Sequence, residues 1–556
     1  MSSTPPPSPT PSLSAQVSRA VIWNTLFVPL RMLAEVAATA LKLTVLPLAA
    51  YGLLALVSGA AAAFGTWIDL GTTRALPKFI PETMRQRGAA GVLKLLLGVF
   101  SVQSVILLGI ATSLIWQQQW YLDSLEARVH ADTRIDDASQ SLLHAILASH
   151  GWLFIVVILC MLLMGVLYDM LMAYLNSFFK QQAWNGIALL AGLLPQLLAV
   201  AAIVGAQLSD EPLRWSIIGI LISSALAPSI AVGVATWQVY RVWQQDTPHS
   251  STESTTPFGN WRAWLPAGFL RYTGVSYLMT MTDFLASKSF AVYLTSSISD
   301  AAMLWAGASL VGMVLSYLYT PLVGITVPLF TRVRAGEGGS ILGAYQSIVR
   351  IQILLLVPGA VALMLLAKPA LQILTPQYVD AVWVVYVLVP CLFLESLLTV
   401  AHNVMIVYEE LTLVTVGRLL TLIVIPLGWL FGAWYGVVGL ALAFGLARVC
   451  AGIWITAWGS ARLKLRWPMA FTLRVCGGAT LMGLCIFAVS WIIPPVANDS
   501  STLYRLSQLP VYGVVALVAA GVFFFGLRLS GGLDPDDRNQ LTKVKLPFKD
   551  YLLRYL

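Results

Sequence analysis

The chain has 556 residues, 58% hydrophobic and only 10% charged, with a formal net charge of +8 at pH 7. No water-soluble fold of this length needs so much apolar surface and so little charge, so the composition excludes a soluble enzyme or binding domain and predicts an integral membrane protein. The basic excess does not point to nucleic acid, because the basic residues fall between apolar stretches and not on a polar domain.

Residues 1–17 are rich in proline and serine, lack an apolar signal-peptide core, and read as a disordered tail. Apolar stretches follow at 18–41, 50–73, 90–116, 151–176, 184–206, 214–238 and 267–292. Seven more lie at 301–328, 346–368, 379–406, 410–430, 434–457, 470–493 and 509–529. Each is long enough for a hydrocarbon core of about 30 Å, giving about fourteen transmembrane helices. Only helices satisfy their backbone in lipid one segment at a time, so the predicted fold class is an all-α polytopic membrane protein. The five cysteines fall inside apolar stretches without CxxC spacing and read as core residues.

The Ser/Thr/Pro-rich connection 244–264 divides the stretches six and eight. The predicted organisation is an N-terminal lobe at 18–243, a cytoplasmic linker at 244–264 and a pseudo-symmetric second six-helix lobe at 265–457. Two further helices at 458–530 and a cytoplasmic tail at 531–556 complete it. The tail end, Lys545–Tyr555, reads either as an interfacial amphipathic segment or as a frayed tail. An even count puts both termini on one side. Arg74, Lys78, Arg85, Arg87, Lys180, Arg241, Arg262, Arg332, Arg334 and the basic tail share that side, which makes it cytoplasmic. A short repeat supports two units: Leu76-Pro77-Lys78-Phe79 before Arg85 and Arg87, and Val327-Pro328-Leu329-Phe330 before Arg332 and Arg334. Each proline is expected to close its helix.

Polar residues recur at helical spacing in the first stretch of each unit. Asn24, Arg31, Glu35, Thr39 and Lys42 form one stripe; Thr273, Ser276, Thr280, Asp283 and Ser287 form the other. A lipid-facing charge costs about 2.5–3.5 kcal/mol at the bilayer centre, so the stripes predict a hydrated interior. The plainer alternative is that Arg31 and Glu35 neutralise each other across one turn. Asp283 has no opposite charge at that spacing, so it serves ligand, proton or ion, or meets a cation from another helix. Asp69 is expected to meet nearby Arg74. Arg271 and Arg350 lie near helix ends, where snorkelling competes with a cavity role. Arg418 and Arg448 lie deeper, Asp169 is a lone acid, and Glu395, Thr399 and His402 form a short stripe. The arginines favour an anionic ligand, because a guanidinium can bond two phosphate oxygens at once.

Tyr51-Gly52, Asp69-Leu70-Gly71, the ending Leu76–Phe79, Val327–Phe330 and Asp283, jointly placed, resemble the Wzx-type oligosaccharide flippases of the multidrug/oligosaccharidyl-lipid/polysaccharide (MOP) superfamily. The resemblance implies two six-helix lobes around a cationic cavity that alternates its access. It implies a lipid-linked oligosaccharide, on undecaprenyl pyrophosphate, moved from the inner to the outer leaflet of the cytoplasmic (inner) membrane. A polysaccharide polymerase is the implied partner protein. The cavity set is then Asn24, Arg31, Glu35, Arg271, Thr280, Asp283, Arg418 and Arg448, with Asp283, Asp169, Glu395 and His402 for ion or proton coupling. The segment 117–151 is longer than the resemblance leads one to expect and reads as a solvated amphipathic helix, with contact to a polymerase or the substrate as the alternative. A multidrug cation antiporter of the same superfamily is the alternative, kept open by the acids. A polytopic glycan polymerase or glycosyltransferase fits less well, since Asp136-Asp137 and Asp536-Asp537 read as solvated charges. No Walker loop, dinucleotide fingerprint or zinc-ligand spacing is found, so neither ATP hydrolysis, a cofactor nor a metal is expected.

Overall fold

The computed structural model describes residues 34–178, 180–246, 265–319, 326–334, 336, 340–493 and 502–531. Asn24, Arg31, residues 247–264 of the linker and residues 532–556 of the tail lie outside them. Among the described residues there is no strand. The helices of the first part are α1 (34–45), α2 (Leu48–Asp69), α3 (Thr72–Trp116), α4 (Gln118–His130), α5 (Asp137–Ser177), α6 (Gln181–Ala206) and α7 (Pro212–Asp246). The second part holds α8 (Phe269–Leu285), α9 (Lys288–Tyr293), α10 (Ile298–Tyr319), α11 (Thr326–Arg334), α12 (Ile341–Leu374), α13 (Val382–Val407), α14 (Leu411–Leu419) and α15 (Val424–Leu463). Then come α16 (Met469–Ile492), α17 (Thr502–Ser507) and α18 (Leu509–Leu529). Ten helical runs among the described residues are long and apolar enough to cross a membrane, so the chain is a multi-pass α-helical membrane protein. Trp116, Trp215 and Trp491 are exposed near helix ends, as interfacial anchors would be, while the exposed Trp152 follows the His150 kink inside α5 and Trp237 lies within α7.

Three expected boundaries are corrected. Pro77 does not close its helix: α2 stops at Asp69, where Leu70 (φ 50) and Gly71 (φ 75) both turn left-handed. The Asp69 carboxylate then accepts the N–H of Gly71 at 3.1 Å and of Thr73 at 3.0 Å, which caps α3 and places Pro77 inside it. Pro328 likewise is the third residue of α11, where its missing N–H would have had no intrahelical partner. The stretch 267–292 is not one helix either. It breaks at Ala286, and Ser287 caps α9 by accepting the Phe290 N–H at 3.3 Å.

α2 is the spine between the two parts. Its small residues let it approach α9 and α10 closely, as lipid-embedded helices do when apolar burial gives them no preference for one another. A Cβ on Gly52 would fall on the Ile298 carbonyl, and one on Gly59 would meet the Ser289 carbonyl oxygen and the Tyr293 ring at 3.1 Å each. Tyr293 donates its hydroxyl to the Leu56 carbonyl at 2.9 Å, fixing the register. Gln377 ties down the α1–α2 connection through the carbonyls of Leu43 and Leu46, at 2.6 and 2.7 Å.

The α2–α3 turn seats directly on α8. A Cβ on Gly71 would run into the α8 backbone at Thr273–Tyr277, whereas Gly88, at φ 64 and ψ −167, has open space around it. Alanine at Gly88 takes a backbone conformation that is essentially glycine's own, at a cost of about 1–3 kcal/mol, and alanine at Gly71 carries a left-handed penalty of about 1–2 kcal/mol. Alanine at Gly71 adds an overpacking term of about 1–3 kcal/mol. The unfolding free energy in detergent is expected to fall by about 2–5 kcal/mol for Gly71→Ala, the left-handed penalty plus the overpacking; a loss no larger than the left-handed penalty alone would contradict the close seating.

Candidate functional site

The break between α8 and α9 organises the charged interior. Asp283, on the last turn of α8, accepts from two guanidinium groups: Arg74 of α3 at 2.7 Å on Oδ2, and Arg418 of α14 at 2.6 Å on Oδ1. The second reading of Asp283 therefore holds, since it meets cations from other helices. Arg418 Nη2 lies 3.1 Å from His402 Nδ1 on α13, with Arg418 as donor because a guanidinium has no lone pair to offer. Arg448 of α15 contacts both Glu395 oxygens at 3.0 and 3.1 Å. It also donates at 3.2 Å to the Ala286 carbonyl, which the end of α8 leaves without a helical donor. Five helices thus deliver one cluster. It retains unused donors: the Nε atoms of Arg418 and Arg448, and His402 Nε2, are buried without a hydrogen-bond partner.

A second cluster starts two residues beyond Ala286. Lys288, the first residue of α9, donates to Ser309 at 2.8 Å and sits 4.3 Å over the Trp305 ring. Lys42 of α1 donates to Gln196 at 2.7 Å. Glu35 is the carboxylate that attracts both ammonium groups, and it accepts the Tyr317 hydroxyl at 2.7 Å.

The expected residues sort clearly. Glu35, Asp283, Glu395, His402, Arg418 and Arg448 are brought into these clusters, and Thr280 lies half-buried one turn before Asp283 with its hydroxyl on the Ser276 carbonyl. Arg271 does not join them. It is exposed about three turns away and off the phase of the stripe. Thr273 and Ser276 are also corrected, being buried, where the Gly71 turn sits on α8, and so not open to an interior space. Asp69 does not meet Arg74; its oxygens are taken by the α3 cap and by the Thr73 hydroxyl at 2.6 Å. Arg74 and Lys288 are the residues that sequence reading missed. Asp69-x-Gly-Thr-Thr is a helix-start signal, and it would have placed Arg74 in a first turn instead of a loop.

Asp169 lies apart from these clusters. It and Asp69 line a cavity of about 300 Å³ between α2, α3 and α5, walled also by Ala61, Ala62, Gly65, Gln103 and Gly165. Small residues leave the space; two carboxylates make it acidic.

The 117–151 segment does contain an amphipathic helix with one solvated face, and its other face packs. α4 buries Leu125 and Val129, and its Arg128 donates to the carbonyls of Thr295 and Tyr293 at 3.0 and 3.2 Å. Arg134 contacts Asp300 at 2.7 Å and Ser297 at 2.8 Å, and the buried Asp132 accepts the Ser299 N–H at 2.7 Å at the start of α10. The α4–α5 connection thus latches onto the α9–α10 connection. Burial alone would raise the Asp132 carboxyl, but the hydrogen bonds from Ser299 and Arg134 and the Arg134 charge outweigh it and hold it below the ordinary aspartate range. A lowered carboxyl stabilises above its unfolded value of about 3.9 and loses that contribution only as pH falls through its lower folded value. Hydrogen exchange at the Ser299 amide is therefore expected to stay protected from pH 7 to 5, after correction for the intrinsic rate. Asp132→Ala should lower that protection roughly 10- to 100-fold. Unchanged protection in the variant would contradict the latch.

No protein-family profile and no curated protein sequence matches the chain. Solved structures do match its fold. The lipid II flippase MurJ, in its inward closed conformation, aligns at TM-score 0.64 and 12% identity over 91% of this chain and 99% of that one. An inward-facing multidrug resistance MATE family transporter of the MOP superfamily aligns at TM-score 0.53 and 14% identity, over 80% of this chain and 98% of its own. A MATE protein in complex with MaL6 aligns at TM-score 0.50 and 12% identity, over 82% and 99%. The chain therefore has the polytopic α-helical fold that these flippase and multidrug-transporter structures share.

Proposed function

We propose that this protein is a flippase for a lipid-linked oligosaccharide carried on a polyprenyl pyrophosphate, moved between leaflets by alternating access during surface-glycan synthesis. The observation that carries the reading is the Arg74–Asp283–Arg418 bridge. Each Asp283 oxygen occupies one guanidinium, much as two phosphate oxygens would. Across the two clusters, Arg74, Arg418, Arg448, Lys42 and Lys288 outnumber Asp283, Glu395 and Glu35. An entering pyrophosphate takes over Arg74 and Arg418 and releases Asp283. Because Arg74 belongs to α3 and Asp283 to α8, this exchange removes a tie between the two parts of the chain. A ligand can drive such a change only through differential affinity for the two arrangements, and the exchanged ion pairs supply it. The oligosaccharide follows the headgroup while the lipid tail stays in the bilayer. The Wzx type, the inner membrane and the two-lobe organisation with both termini cytoplasmic belong to this reading. So do the cavity residues Asn24 and Arg31, and a polymerase that takes the product.

The cation antiporter is the second reading, favoured by the acidic cavity of Asp69 and Asp169. In the flippase reading that cavity holds the coupling cation or proton. The two differ in what the protein binds. Undecaprenyl pyrophosphate should raise the unfolding temperature of the purified protein, and tetraphenylphosphonium should not; Arg418→Ala should remove the effect. Stabilisation by the organic cation alone would overturn the flippase reading.

A further inference from the structure

We propose that Glu126, His130 and His144 form a binding site for one divalent transition-metal ion, best suited to zinc, which cross-links α4 to α5 beside the latch. Nothing in the linear spacing reveals the site, because its third ligand comes from the next helix. Glu126 and His130 stand one turn apart on α4 and so share a face. His144, in the second turn of α5, faces them. Its Nδ1 lies 2.5 Å from Glu126 Oε1, and His130 Nε2 lies 3.6 Å from the same oxygen. One ligand atom from each residue falls within 4.8 Å of the other two, and the ring centroids are 6.1 Å apart. Zinc bonds of about 2.0–2.2 Å to imidazole nitrogen and carboxylate oxygen place neighbouring donors of a tetrahedron about 3.3–3.6 Å apart. Small side-chain rotations reach that spacing with the helices where they are.

The surroundings fit a metal better than an isolated histidine–carboxylate contact. Gln140 Nε2 lies 2.8 Å from His130 Nδ1. Turned over about its terminal bond, which exchanges its nitrogen and oxygen, the amide would accept Nδ1–H and fix the tautomer that presents Nε2 to the metal. The two histidine side chains are 57% and 56% exposed, so water can fill the remaining coordination position and the ion has an open approach. Two imidazoles and one carboxylate suit zinc, with cobalt, nickel and copper as competitors, and do not suit calcium or magnesium, which take oxygen ligands. The hairpin that the ion would staple carries Arg128, Asp132 and Arg134, so an occupied site would stiffen the element that holds the α9–α10 connection.

The full-length, tag-free protein, stripped with a chelator and titrated with Zn²⁺ by calorimetry, should bind one equivalent, and Co²⁺ should give a visible d–d absorption. His130→Ala with His144→Ala should lose that equivalent and the absorption. Gln140→Ala should weaken zinc binding by about 10-fold or more. All these side chains lie at the surface, and matching metal-free unfolding curves would confirm that the variants fold. The same stoichiometry in wild type and double variant, or no zinc bound at micromolar concentration, would overturn the site. The measurement does not involve transport, so its outcome is independent of the flippase reading.

Discussion

Asp283→Asn is expected to abolish translocation while leaving binding of the anionic headgroup intact or tighter. In the structure Asp283 keeps Arg74 and Arg418 occupied, with its own side chain 31% exposed and theirs 43% and 21%. Removing one partner of a fully buried ion pair costs about 3–5 kcal/mol, but at this degree of solvent access a figure nearer about 1–3 kcal/mol is appropriate. That loss is tolerable for folding, so the variant should reach the membrane in near-normal amount. Asparagine keeps one acceptor and loses the charge, so a pyrophosphate no longer has to displace a competing carboxylate. Binding then loses its link to the release of α8 from α3, and turnover should drop by at least about 100-fold, the effect of roughly 2.7 kcal/mol on the transport barrier. Binding assays and export assays on the same variant separate the two effects. Wild-type export from Asp283→Asn would contradict the role assigned to the bridge, and loss of both binding and export would make Asp283 a ligand-positioning residue instead.

Glu395→Ala is expected to act first on folding. Glu395 is 15% exposed at its side chain and is the carboxylate partner of Arg448, whose other contacts are the Ala286 carbonyl and the Phe444 ring. Losing it leaves a guanidinium that is 32% exposed between α13 and α15 and costs about 1–3 kcal/mol, less than a fully buried pair. Protein level in the membrane and unfolding temperature should both fall. Replacing both residues together, Glu395→Leu with Arg448→Leu, should restore much of the stability, because a well-packed apolar pair is often as stable as a buried ion pair. Export should not return, since Arg448 would be gone from the basic interior. A double variant that is both stable and active would assign the pair to structure alone.

Most of the helix pattern was legible in the sequence, because a span of about 20 apolar residues is a long and redundant signal. The helix breaks were less so. Pro77 looked like a stop, yet the chain turns at Leu70 and Gly71, where the Asp69 carboxylate satisfies the orphan N–H groups of the next helix. A non-glycine residue entering the left-handed region, as Leu70 does, leaves little trace in composition. The break at Ala286 was hidden by the apolar run around it, and with it the role of Lys288. Helical periodicity did select Asp283, and depth selected Arg418 and Arg448, but periodicity says nothing about partners on other helices. It could not join Arg74 to Asp283, nor bring His144 to Glu126 and His130. Thr273 and Ser276 share the stripe of Asp283 and are nonetheless packed under the α2–α3 turn, because one polar face can serve a close helix crossing at one end and an ionic cluster at the other.

The central claim is that the Arg74–Asp283–Arg418 bridge sits on the path of an anionic lipid headgroup. It is tested most directly by reconstituting the protein in liposomes with a fluorescent undecaprenyl-pyrophosphate-linked oligosaccharide and following leaflet exchange with a membrane-impermeant quencher. Wild type should move the lipid across the bilayer, and Arg418→Ala and Asp283→Asn should not. Exchange at equal rates in all three proteins, or none above protein-free liposomes in wild type, would contradict the account.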